Sequence, residues 1–192
     1  MSLRPLLPRL IPLLALPLLL ACTDKGATSM GKTRSAPPAA IIGTSLIGSG
    51  GQIVGEASLT QEAEGTRIMI TVTGIPIGTH AVHLHSIGRC ETPGFTTAGG
   101  HFNPGMKQHG RLNPMGDHAG DLPNLVVGDD HRGSLDFVRA GLRLVDGAAP
   151  LLDADGAAVV IHAGPDDFAS DPAGNAGGRI ACGAITRAPT KP

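Results

Sequence analysis

The sequence predicts an all-β domain, a sandwich or barrel of eight short strands with two long functional loops. Three observations carry this. Eight β-rich runs are punctuated by Gly, Pro and Asp-rich turns, and none has the length and period of a substantial helix. Some runs alternate apolar and polar residues, the mark of a strand with one buried face. The chain holds 28 glycines and 16 prolines, which suits many turns, and 41% apolar residues, enough for a core. With no Trp, no Tyr and only four Phe, that core must be aliphatic.

In chain order the runs are AAIIGTSLIG (39–48), QIVGEASLTQ (52–61), TRIMITVTGI (66–75), THAVHLHSI (79–87), LPNLVVGDD (122–130), RGSLDFVRA (132–140), AAVVIHAG (157–164) and GRIACGAIT (178–186). The third alternates most clearly, with Ile68, Ile70 and Val72 on one face and Arg67, Thr71 and Thr73 on the other. Two connections are long, 88–120 and 163–178. Loops of that length in a compact domain are functional or held by something.

The first 21 residues read as an export signal. Arg4 and Arg9 precede the apolar run IPLLALPLLLA, eleven residues with two prolines, too short for a bilayer span. The run ends in LLAC, which resembles a bacterial lipoprotein cleavage box with Cys22 as the lipidated first residue. Residues 22–39 form a polar tether, 40–188 the folded domain and 189–192 a tail. Lipidation would place the domain in the cell envelope, in the periplasm. Thr23 after Cys22 tilts the anchor towards the outer membrane. Three cysteines leave one over after pairing, so if Cys22 takes lipid, Cys90 and Cys182 remain for a disulfide in an oxidising compartment.

The formal net charge of −1 gives no sign of nucleic-acid binding. Residues 1–35 carry five of the fifteen basic residues and one of the sixteen acidic ones. The remainder keeps ten against fifteen, a net of −5, so the folded part is acidic.

Seven of the eight histidines fall between 80 and 131. On a strand His83 and His85 share a face that His80 does not, so the pair can grip one metal ion. The Gly/Pro-rich stretch 98–124 carries His101, His109, His118 and Asp121. It has little apolar content to fold upon, and a metal would supply the missing stability. Three His and one Asp meet the needs of tetrahedral zinc. His162 closes its own apolar run, and a third imidazole beside His83 and His85 makes a nitrogen-rich site suited to copper.

The motifs HAVHLH, GGHFNP, KQHG, DHAGDLPN, VVIHAGPDD and NAGGRIACG, in this order over residues 41–187, strongly resemble the bacterial Cu,Zn superoxide dismutases. The resemblance implies a Greek-key barrel and disproportionation of superoxide to dioxygen and hydrogen peroxide, with copper cycling between Cu(II) and Cu(I). It implies copper on His83, His85, His101 and His162, and zinc on His101, His109, His118 and Asp121, with His101 shared. It implies further that Asp166 links His83 to His109, that Arg179 receives the anion, that Cys90 pairs with Cys182, and that His80 bonds to backbone. His131 matches nothing in the family and reads as a solvated turn residue, and Asp167 has no implied role. Lys107, Arg111 and Arg89 are candidates to assist Arg179. The alternative is a domain of the same fold that buffers or delivers copper and zinc without turnover. Such a domain is expected to have lost copper ligands or the arginine, and here all are present. Membrane contact is expected only through Cys22, and the sequence leaves monomer and dimer open.

Overall fold

The computed structural model describes residues 41–187. The predicted signal, tether and tail lie outside the described residues. Nine strands form: β1 (Ile41–Gly48), β2 (Ile53–Gln61), β3 (Gly65–Thr73), β4 (Gly78–His80), β5 (Val82–His85), β6 (Leu125–Val127), β7 (Arg132–Ala140), β8 (Ala157–His162) and β9 (Arg179–Ile185). They hydrogen-bond in the order β4-β6-β7-β3-β2-β1-β9-β8-β5, every pair antiparallel. The one helical element among the described residues is a 3-10 turn, Thr96–Ala98.

The expected eight strands become nine because THAVHLHSI divides at Ala81. Its first part, β4, pairs with β6 at one edge of the sheet, and its second, β5, pairs with β8 at the other. Ala81 leaves both ladders: its N–H donates to Gly164 O and its carbonyl accepts from His162 N–H. A single residue therefore joins the two edges of the sheet, and the barrel is nearly closed. His80 braces this crossing, with Nδ1 2.8 Å from His162 O and Nε2 2.8 Å from Pro76 O. This backbone role is the one expected of it.

The alternation read in β3 holds. Ile68, Ile70 and Val72 are buried, facing the β7 register at Phe137 and Leu135, while Arg67, Met69, Thr71 and Thr73 are exposed. With Leu46, Leu59, Leu84, Val159 and Ile161 they form one aliphatic core. A third long connection, 141–156, was not expected. It holds no strand, yet Leu142, Leu144, Leu151 and Leu152 are all buried in that core. Leu151 and Leu152 N–H groups bond to Arg143 O and Leu144 O, so the segment satisfies its own backbone while its leucines pack inward.

Cys90 and Cys182 are disulfide-bonded, 92 residues apart, with Cα atoms 5.7 Å from each other. Around the bridge Phe95, Ala98, Ala158 and Val160 make a second small cluster, which seats the start of the 86–124 loop on β8 and β9. Closing so long a loop restricts the unfolded chain, a contribution of about 4 kcal/mol. Urea unfolding of the domain and of its Cys90→Ala/Cys182→Ala variant should show a loss of that order. A loss of less than about 1 kcal/mol would mean the loop is held by its other contacts alone.

Candidate metal centre

Backbone pairing builds the site. After β5 the chain loops out and returns antiparallel to it, with His85 opposite His101 and His83 opposite Asp121 as isolated bridges. Phe102 N–H donates to Leu84 O, Leu84 N–H to Gly120 O, and Gly120 N–H to Phe102 O. These bonds put two loop side chains beside two strand side chains before any side-chain contact is made. β8 pairs with β5 on its other side and ends at His162.

Six histidines and two aspartates converge here, nearly all buried. Every imidazole except that of His101 uses one nitrogen against the surrounding protein. His85 Nδ1 donates to Gly99 O at 2.9 Å, His162 Nδ1 to Gly177 O at 3.2 Å and His118 Nε2 to Lys107 O at 3.1 Å. His83 Nε2 and His109 Nε2 donate to the two oxygens of Asp166, each at 2.9 Å. The other nitrogens point inward: His83 Nδ1, His85 Nε2 and His162 Nε2 are buried with no hydrogen-bond partner among the described residues, and His109 Nδ1 faces only Asp121 Oδ1, at 3.1 Å. Buried polar atoms are rarely left unsatisfied, so three orphans aimed at a common point indicate metal ligands.

The donors divide into two sets. His83, His85, His101 and His162 bring one ligand atom each within 4.8 Å of the others. A second set meets the same distance with His83, His101, His109 and Asp121. His118 is the better fourth member of that set. Its Nδ1 lies 3.2 Å from both His101 Nδ1 and Asp121 Oδ1, whereas His83 has one nitrogen on Asp166 and the other among the first set. Asp121 Oδ1 is also 3.0 Å from His101 Nδ1 and 3.1 Å from His109 Nδ1. A tetrahedral ion with bonds of about 2.0 Å separates its ligands by about 3.3 Å, so this second group suits zinc. The four-imidazole group suits copper. His101 appears in both groups, and its Nδ1 is the atom beside His118 and Asp121.

The charges follow the same division. Burial pushes His83 down to about 4 against the pull of Asp166, His162 to about 4, and His85 to about 2. These rings are neutral, as copper ligands must be. Burial also works on His109, but Asp121 and Asp166 outweigh it and raise this ring to about 9. Both carboxylates sit well below the usual range despite their burial: Asp121 through His101, His109 and the Gly110 N–H, Asp166 through His109, His83 and the Phe168 N–H.

Arg179, the first residue of β9, has its guanidinium fixed by Phe95 O at 2.6 Å and Gly99 O at 2.7 Å. Gly99 O thus serves both Arg179 and His85. A cleft of about 350 Å³ opens here, lined by His85, His101, His118, His162, Pro172 and Arg179 among others. Of the proposed helpers, Lys107 lies in this neighbourhood through its carbonyl. Arg111 instead stacks over Phe168 at 4.0 Å beside a different cavity, and Arg89 lines a third one with Asp155.

Several contributors were not read from the sequence. Asn124 clamps Asp166 by a reciprocal pair, Oδ1 accepting its N–H and Nδ2 donating to its O, at 2.9 and 3.0 Å. Asp167 receives the N–H groups of Ala169 and Ser170 and so shapes the loop behind Asp166. Asp171 Oδ1 accepts the His109 N–H at 2.6 Å. Of the three acids of the 163–178 loop only Asp166 is buried; Asp167 and Asp171 are exposed and accept backbone N–H groups. Gly174, at φ 65°, passes so close that a Cβ would strike Asp166 Oδ1 and crowd His109 Nε2, so only Gly fits. None of these carries a spacing signal, because each contact spans some 40 residues or depends on a loop path. His131 is exposed as expected of a turn residue, but its Nδ1 donates to Ile75 O at 3.0 Å.

Comparison with known proteins agrees with this geometry. Residues 53–185 match the copper/zinc superoxide dismutase family model. The chain is similar to superoxide dismutase [Cu-Zn] 2 of Aquifex aeolicus, 44% identical over 73% of this chain and 83% of that protein. It is also similar to superoxide dismutase [Cu-Zn] of Deinococcus radiodurans, 36% identical over 90% and 93%. Among solved structures it resembles a superoxide dismutase-like protein from Bacillus subtilis, with TM-score 0.73 and 39% identity over 76% of this chain and 99% of that one. The chain belongs to the copper/zinc superoxide dismutase family, whose members use copper and zinc.

The ring charges set a pH profile for the metal-free domain. His83, His85 and His162 titrate below their ordinary 6.5, so their contribution to stability is complete above pH 6.5 and is lost as pH falls towards 4. His109 titrates above 6.5, so its contribution is complete below pH 6.5 and is lost as pH rises through about 9. Thermal unfolding in chelator should show greatest stability near neutral pH, with lower midpoints at about pH 4.5 and about pH 9.5. A midpoint still rising at about pH 9.5 would contradict the paired state of His109.

Proposed function

We propose that this chain is a superoxide dismutase, taking two superoxide anions and two protons to dioxygen and hydrogen peroxide. Copper would be held by His83, His85, His101 and His162, and zinc by His101, His109, His118 and Asp121. The observation that carries this reading is the set of inward, unpartnered imidazole nitrogens around a shared His101, next to a cationic cleft. When bound, copper supplies the one-electron Cu(II)/Cu(I) couple, and zinc, which has no redox chemistry, holds the loop ligands together.

The chain's own residues do the rest. Residues 36–192, of net charge −5, repel an anion at long range, so attraction must be local. Arg179, oriented by Phe95 O and Gly99 O, presents its cation in the cleft beside His162 and His101. His101 lines the same cleft, and its ring nitrogen on the copper side, once released from the metal, would take a proton from solvent and give it to reduced substrate before returning to the metal. Asp166 keeps the Nδ1 of His83 and of His109 free for metal by occupying both Nε2 atoms.

The purified domain loaded with copper and zinc should consume superoxide, and copper removal should abolish the activity. Inactivity of the fully loaded domain would favour a metal-binding module. Arg179→Ala should lower the second-order rate about tenfold with both metals still bound. Arg179→Glu should lower it further and make added salt accelerate rather than slow the reaction. An unchanged rate and salt dependence in Arg179→Glu would remove Arg179 as the anion guide.

The same proposal extends to location: an exported lipoprotein, anchored through Cys22 with the outer membrane favoured. LLAC and the following Thr23 support it. The full-length chain should partition into detergent phase and its Cys22→Ser variant into the aqueous phase. Equal partitioning of the two would exclude the anchor.

A further inference from the structure

β7 alternates with Gly133, Leu135, Phe137 and Arg139 on its less exposed face, and Leu135 and Phe137 pack on the core. Arg139 continues this face, but its guanidinium makes no hydrogen bond or ion pair to another strand. All three of its nitrogens instead reach the turn that carries two zinc-set residues. Nε donates to Ala119 O at 3.1 Å, one terminal nitrogen to His118 O at 2.7 Å, and the other pairs with Asp117 Oδ2 at 2.8 Å. His118 O is also the acceptor that closes the turn, taking the Asp121 N–H at 3.2 Å, while His118 N–H returns to Asp121 Oδ2 at 3.0 Å. The loop residues 117–119 have no ladder of their own on β7. Arg139 supplies the connection.

We infer that Arg139 is a positioning residue for zinc: it fixes the His118–Asp121 turn to the barrel wall and so presets the His118 Nδ1 and Asp121 Oδ1 donors. This rests on the zinc assignment above. The planar fork matters, because Lys in its place has one point donor and cannot hold both carbonyls and the carboxylate in fixed directions. Replacing Arg139 together with Asp117 leaves no unpaired charge behind, so the double variant releases the turn without that penalty.

The test compares wild type, Arg139→Lys, Arg139→Met/Asp117→Asn and His118→Ala as whole chains. Zinc affinity is read by chelator competition, with copper affinity and metal-free thermal midpoint measured beside it. The double variant should bind zinc about 10- to 100-fold more weakly, with copper affinity and midpoint held or the midpoint raised. Arg139→Lys should lie between it and wild type. Zinc affinity in the double variant within twofold of wild type, while His118→Ala still loses zinc, would overturn the inference and leave the zinc site standing. Parallel loss of zinc affinity, copper affinity and midpoint would also overturn it, marking Arg139 as a general support. Unchanged zinc affinity in His118→Ala would instead overturn the zinc assignment on which the inference rests.

Discussion

The arrangement depends on one bifurcated contact: Asp166, buried, with one oxygen on His83 Nε2 and the other on His109 Nε2. It fixes the orientation of two rings that belong to different donor sets and to different parts of the chain, a barrel strand and a loop. A buried carboxylate is costly alone, so it persists only where its partners are in place. Asn124 holds the backbone of Asp166 and Gly174 makes room for it, so the loop that carries it cannot settle elsewhere without breaking several bonds. The tautomer of each ring, and with it the direction of each free nitrogen, follows from that constraint.

The two long loops around the site bury few aliphatic residues of their own, and they are held by different means at different points. The disulfide and the Phe95–Ala98 cluster seat the first part of the 86–124 segment. Backbone pairing to β5 seats residues 100–102 and 120. Between these, residues 103–118 rest on polar contacts, and His109 and His118 lie there. The carbonyl of Gly99 accepts from both Arg179 and His85, so under the proposed function the anion guide and a copper ligand would share one anchor. Gly99, at φ 76°, gives that carbonyl its direction in a conformation other residues adopt with strain.

The residues that converge at the site were legible in the sequence because their chemistry is unusual and their order along the chain fits a known pattern. His83 and His85 share a strand face by simple parity, and His101, His109, His118 and Asp121 recur in a stretch with little else to stabilise it. The strands were legible from alternation, as in Ile68, Ile70 and Val72. The break at Ala81 was not, since apolar and polar residues continue through it and the division follows from which distant strand each half meets. The leucines of 141–156 belong to no periodic pattern, because an irregular segment can bury side chains from any turn of its path. Asn124, Asp171 and Gly174 were silent for a related reason: each acts on a residue many positions away, and only the folded chain makes them neighbours.

The central claim is that one imidazole, His101, belongs to both metal sets while every other ligand belongs to one. Metal-affinity measurements on three single variants test it most directly. His101→Gln should weaken copper and zinc together, His85→Gln copper alone and His109→Gln zinc alone. If His101→Gln weakened one metal and left the other at its wild-type affinity, the two sets would not share this ring and the account would be contradicted.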